Sequence, residues 1–160
     1  MKHLVDAVRR SIREKNWYAA LTGALALPDI AGWLDGRPGG SKVRFVSWFN
    51  DYLLPKYTSV MDGHVFLSGD DCYALRCAYL HAGDFDILAQ PARKVLERFH
   101  FVASVSDKMM HCNQFNQILQ LQVDLFTEEV CSAVEEWLRM RGPDPAVATA
   151  LAALPQIDFI

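Results

Sequence analysis

Residues 16–34, NWYAALTGALALPDIAGWL, constrain the fold more than any other stretch of this chain. Nineteen residues carry one formal charge, Asp29. A helix that is apolar nearly all round has to be covered on most sides, so the remaining elements are expected to pack around it. The length invites a membrane span. Asn16, Pro28, Asp29 and two glycines break the run, and no stop-transfer pattern follows, so no membrane association is expected. Pro28 leaves two readings: it ends this helix or starts a second one. Asp29 also has two. It is a helix cap or a buried partner for an arginine, or it orients the residues at 76 and 81 introduced below.

The flanking segments fit such a bundle. Residues 2–15 read as an amphipathic helix with Leu4, Val5, Val8 and Ile12 on one face. Arg9, Arg10, Arg13 and Lys15 crowd the rest, as a solvated face or as a basic strip for RNA phosphates. DGRPGG at 35–40 is a loop. Residues 41–54 form a helix, with Ser41 as its cap and Pro55 as its stop. Phe45, Trp48, Phe49, Tyr52 and Leu53 recur at helical spacing, which marks a core stripe rather than a base-stacking platform. Residues 56–67 are irregular, with a turn at Asp62-Gly63.

Residues 68–83, SGDDCYALRCAYLHAG, predict a short helix with defined ends. Ser68 caps it, Asp71 stands in capping-box position, and Leu67 with Cys72 can form a staple. Gly83 terminates it. At about 100° per residue, Cys72, Leu75, Ala78, Tyr79 and Ala82 make one apolar face. Tyr73, Cys77 and Leu80 make a second, bordered by Arg76 and His81. A helix apolar on two sides is covered on two sides, by its own chain or by another copy.

Arg76 and His81 form R-x-x-x-x-H within LRCAYLHAG. This resembles the HEPN family of all-helical domains, many of them ribonucleases, which carry an R-x4-6-H motif on a late helix of the bundle. The residue after the arginine departs from the pattern: it is Cys77, where HEPN nucleases usually place a polar group. The resemblance implies an antiparallel helical bundle and metal-independent RNA cleavage of a toxin or defence type. The chemistry suits the residues. An imidazole such as His81 titrates near neutrality and can move the 2′-hydroxyl proton. A guanidinium such as Arg76 stays charged and binds phosphate oxygens bidentately. The resemblance implies the same division of roles, a 2′,3′-cyclic phosphate product, and a homodimer whose cleft receives an Arg and a His from each protomer. Around the helix axis the two residues stand about 140° apart with a rise of about 7.5 Å. One phosphate would then reach both only across the strip holding Cys77 and Leu80. Asp29, Tyr73 and Cys77 are the supporting candidates, and Arg9, Arg10 and Arg13 the candidate RNA contacts. The alternative is a catalytically silent interaction or nucleotide-binding module, antitoxin-like or a scaffold. In it Arg76 pairs with Asp29, Asp70 or Asp71, and His81 caps its own helix.

Beyond residue 91 the periodicity changes. Residues 92–97 are a short helix or the lead into a strand. Residues 98–105 and 117–123 alternate with period two, which predicts a two-stranded antiparallel β-hairpin on the helices. Its long connection, 106–116, is polar at its end. Residues 125–141 form the last long helix, capped by Asp124, with Phe126, Val130, Val134, Trp137 and Leu138 inward. A short Ala-rich helix follows at 144–154, and the apolar tail 157–160 is expected to dock, on this chain or on a protein partner.

The expected architecture is therefore mainly α: one domain over 1–160, with a bundle over 1–85 carrying the motif and the hairpin plus C-terminal helices over 92–160. At 51% apolar and 22% charged residues the chain can build a core of that size. A net charge of −3 does not advertise general nucleic-acid affinity, so RNA contact would have to be local. The four cysteines include no CxxC pair, and no secretory leader is recognised, which favours reduced thiols and a cytoplasmic setting. No phosphate loop, dinucleotide fingerprint or metal-ligand spacing is present, so no cofactor is expected.

Overall fold

The computed structural model describes residues 1–103 and 109–157. It is mainly helical, with a small three-stranded sheet. Helices α1 (Lys2–Arg13), α2 (Trp17–Leu34), α3 (Ser41–Tyr52) and α4 (Gly69–Ala82) come first. Strands β1 (Arg98–Val102), β2 (Asn113–Phe115) and β3 (Ile118–Gln122) follow, then α5 (Val123–Arg141) and α6 (Pro145–Ala152).

The apolar helix α2 lies at the centre, packed by α1, α3 and α5. Its Asn16 cap accepts from the Ala19 amide at 3.3 Å. Contrary to both readings of Pro28, α2 runs straight through it. An interior proline costs about 3 kcal/mol. Burying Leu21, Leu25, Leu27 and Leu34 in the same helix offsets that at about 1.5–3 kcal/mol each. Gly32 lets α3 approach closely: a β-carbon there would meet the Arg44 carbonyl oxygen at 2.9 Å. The turn between α1 and α2 uses Lys15 in the left-handed region, at φ 56°.

The aromatic stripe of α3 is core, as its spacing predicts. Phe45, Trp48 and Phe49 are fully buried, and Phe45 meets Tyr73 of α4 edge-on at 5.4 Å. Gly40, not Ser41, occupies the cap position. Ser41 is the first helical residue, and its hydroxyl donates to Asp29 at 3.0 Å. Past Leu53 the chain tightens into a 3-10 turn, Leu54–Tyr57, which opens with Pro55.

Helix α4 has the predicted ends. The Ser68 hydroxyl accepts from the Asp71 amide at 3.1 Å, and Gly83 closes the helix at φ 68°. The Asp71 side chain has a further task. It is 2% exposed and accepts from Ser68 Oγ and from the amides of Lys94, Val95 and Leu96. This one carboxylate satisfies backbone donors of 94–96, where the sequence suggests a helix or a strand lead. The segment is irregular instead.

The expected antiparallel hairpin is corrected. β1 pairs with β3 in parallel, Phe99 opposite Leu119, and β3 forms its antiparallel partnership with β2. The connection after β1 is long enough to return the chain to the other end before β3 begins, as a parallel pair requires. Within it, the turn at Asn116 (φ 53°) folds β2 back on β3. The alternation holds in part: Phe99, Leu119 and Leu121 are buried, but Phe101 is half-buried, Ala103 is exposed, and Gln122, expected on the solvent face, is buried. The predicted extension of the first strand to 105, and 106–108 of its connection, fall outside the described residues.

α5 follows β3 without a loop. Gln122 is its cap position, so Asp124 is not the cap; it lies in the first turn and accepts from Gln122 Nε2 at 3.1 Å. Phe126, Val130, Val134 and Trp137 are buried and Leu138 half-buried. Asp144 caps α6, accepting from the Ala146 amide at 2.9 Å. Ile157 is exposed, and the rest of the tail expected to dock, 158–160, lies outside the described residues. No described helix is long and apolar enough to cross a membrane.

Candidate functional site

Three of the sequence candidates converge where α2 and α4 meet. Arg76 Nη2 donates to Asp29 Oδ2 at 2.9 Å, both side chains 21% exposed. Ser41 Oγ holds the other Asp29 oxygen. Arg76 Nη1 stands 3.5 Å from His81 Nε2. Arginine can only donate, so Nε2 is the accepting side of this contact. Of the readings of Asp29, the structure shows the one in which it pairs with an arginine, at a half-buried contact.

The distance between Arg76 and His81 along the helix is bridged by the length of the arginine side chain. Their terminal groups meet within one chain, so a single phosphate can address both without spanning the strip between them. His81 is exposed, whereas the Arg76 Nε is buried and has no acceptor among the described residues. The fork is held on one side by Asp29 and open toward His81.

The other candidates are placed as follows. Tyr73 packs on Phe45 of α3, and Cys77 is a half-buried free thiol. Both are partly covered by the chain itself, as is Leu80. The basic strip of α1 divides. Arg9 turns onto α5, where Glu128 holds it at 2.7 Å and Glu135 at 2.5 Å. Its hydrogen bonds to Glu135 and then Glu128 raise its pKa further still, so its charge is spent on α5 rather than offered to RNA. Arg10 and Arg13 are exposed. All four cysteines are free.

Asp29 and Ser41 also line an open groove of about 530 Å³ with His3, Ile30, Trp33 and Arg44. Trp33 follows Asp29 by one helical turn and is 58% exposed.

A second polar cluster was not legible in the spacing. His111, just before β2, is 9% exposed, with Nε2 3.2 Å from Glu129 of α5. The fully buried Tyr57 hydroxyl donates to the same Glu129 oxygen, and the Gln122 amide donates to His111 Nδ1 at 3.2 Å. Burial lowers the His111 pKa, but hydrogen bonds to Cys112 and Glu129 outweigh it and raise it to about 9. Protonation would convert Nδ1 from acceptor to donor and break the Gln122 contact, so the cluster holds two arrangements in competition. Burial and the Glu129 carboxylate push the Tyr57 phenol well up. Its members are scattered over three elements, and only the polarity of the 106–116 connection hinted at it. Among the described residues no group of three or more His, Cys, Asp or Glu side chains could hold a metal ion.

No family model, curated protein or solved structure matches this chain.

Proposed function

We propose that this is a HEPN-like protein acting as a metal-independent endoribonuclease of a toxin or defence system, with Arg76 and His81 as its catalytic residues. The observation that supports this most is the direct approach of His81 Nε2 to Arg76 Nη1, with Asp29 bracing the guanidinium from behind. A neutral His81 takes the proton from the 2′-hydroxyl as that oxygen attacks phosphorus. The P–O5′ bond breaks as the proton taken up by His81 is passed on, through water, to the departing O5′, leaving a 2′,3′-cyclic phosphate and a 5′-hydroxyl. Arg76 bonds the nonbridging oxygens as negative charge builds on them. Asp29 keeps the guanidinium planar to that position. In this reading two copies meet along Tyr73, Cys77 and Leu80 and bring two such pairs to one cleft.

One observation favours a second reading. Arg76 is already neutralised by Asp29, and the chain's net charge of −3 does not draw RNA toward it. A catalytically silent module that binds a nucleotide or a protein partner would use the same residues for recognition alone. Incubation of the purified protein with RNA in EDTA separates the two. Cleavage that disappears in both Arg76→Ala and His81→Ala supports the nuclease. Absence of cleavage by the wild type, with growth unaffected on overexpression, supports the silent module. Sedimentation of the wild type tests the dimer independently.

A further inference from the structure

α2 presents one outward stripe toward α4. At 100° per residue, Tyr18, Thr22, Asp29 and Trp33 fall within about 60° of arc. Two of them are large exposed aromatics, Tyr18 at 74% and Trp33 at 58%. Between them sits Asp29, which holds Arg76. The Tyr79 hydroxyl donates to the Tyr18 carbonyl at 3.5 Å, so α4 runs back along α2 from Asp29 toward Tyr18. The helical rise places Trp33 about 6 Å from Asp29 on one side and Tyr18 about 16 Å away on the other. The spacing on the Trp33 side matches one nucleotide step of an extended strand.

Trp33 is exposed but not isolated. It walls the groove of about 530 Å³, with Leu4 and Ile30 as apolar lining and Arg44 and His3 as polar groups. That volume lies in the range of small-ligand sites. Arg44 donates through Nη1 to the Gly39 carbonyl, and its buried Nε has no acceptor among the described residues, which leaves Nη2 as its free end.

We propose that this groove is a nucleobase subsite, in which Trp33 stacks the base next to the phosphate held at Arg76 and His81, so that the substrate is single-stranded RNA. The inference rests on the phosphate-handling reading of Arg76 and His81. A base inside a duplex keeps both its faces stacked on neighbours, and only an unstacked base can enter the groove and offer a face to the indole. Arg44 meets the polar edge or the adjoining phosphate. Tyr18 offers a second, weaker platform on the far side of the catalytic pair.

The probe is a 2′-O-methylated ten-residue oligonucleotide, which cannot be cleaved, as a single strand and annealed to its complement. Of the four tryptophans, Trp48 and Trp137 are fully buried and Trp17 half-buried, so Trp33 dominates the part of the fluorescence that acrylamide can reach. The single strand should quench that emission and shield it from acrylamide, and the duplex should bind at least tenfold more weakly. Trp33→Ala should weaken single-strand binding about 5- to 150-fold, the range of one base–aromatic stack, and Trp33→Phe should recover most of it. With cleavable RNA the Trp33→Ala loss should fall on KM rather than kcat. Wild-type affinity in Trp33→Ala, or equal affinity for the duplex, overturns the subsite. So does a shift of Trp33→Ala from dimer to monomer with binding otherwise intact, which would make the groove a face for a second copy. If Arg76→Ala and His81→Ala cleave like wild type while the Trp33 quenching persists, the catalytic reading fails and the base subsite stands.

Discussion

Two clusters in this molecule combine a histidine with a carboxylate and a third polar group, and the exposure of the histidine separates them: His81 is exposed and His111 nearly buried. At the α2–α4 contact, Asp29, Arg76 and His81 meet at the surface, with one face of the guanidinium open toward an exposed imidazole. Between the 3-10 turn, the segment before β2 and α5, His111, Glu129 and Tyr57 meet, with Glu129 accepting from Tyr57 and lying 3.2 Å from His111. The carboxylates are alike, Asp29 at 21% and Glu129 at 28% exposed, so the contrast lies in the exposed His81 against the nearly buried His111 and the fully buried Tyr57. In this second cluster, a clasp, the hydrogen bonds tie three elements that share no sequence neighbourhood. At the surface pair, the chain commits only the bonds that hold the arginine still.

The largest expected effect breaks the comparison on the functional side. His81→Ala should lower RNA cleavage by about 10²- to 10⁴-fold, the usual worth of a positioned acid–base group, with the urea midpoint unchanged. If it instead destabilises the protein as a clasp residue would, the two clusters are alike and the surface pair is structural. Glu129→Ala should do the reverse. It strands the buried Tyr57 hydroxyl and the His111 ring, and should cost about 3 kcal/mol in urea unfolding without altering the catalytic rate of the folded fraction.

The pH dependence sharpens the same contrast. His111 is raised in the folded state, from 6.5 to about 9. Its contribution is therefore complete below pH 6.5 and is lost as pH rises through 9. Stability should decline by about 2–3 kcal/mol across that window, and His111→Gln should flatten the decline. Persistence of the slope in that variant would assign it to other groups. The smallest effect is expected at Asp29→Asn. The pair it breaks is one-fifth exposed, so stability should fall by less than about 1 kcal/mol. Cleavage should drop about tenfold as Arg76 loses its brace.

Much of the helical framework was legible locally. The Ser68 cap, the Gly83 terminator and the aromatic stripe of α3 are each decided by a few adjacent residues, because capping and amphipathicity act within one or two turns. The pairing of Arg76 with Asp29 was among the alternatives open at the sequence level, as a charge in an apolar helix needs a partner. Asp71 shows where local reasoning stops. It occupies its expected capping-box position, yet its carboxylate serves amides more than twenty residues away. Ser41 and Asp124, both good capping residues, yield the cap position to Gly40 and Gln122 and bond elsewhere.

By itself the sequence determined that α2 is central, because nineteen residues with a single charge can be stable in water only when covered by other helices. Through period-two alternation it marked β1 and β3, but not β2, which lies in what read as a connection. Tertiary structure alone decided that β1 and β3 run parallel, since alternation marks the faces of a strand and is blind to its direction. It also decided that α2 continues through Pro28, because the burial of a whole helix outweighs one local defect. And it decided that Arg76 and His81 touch: the backbone sets them on different sides of the helix, but the reach of a long side chain and the pull of Asp29 from a neighbouring helix bring their ends together.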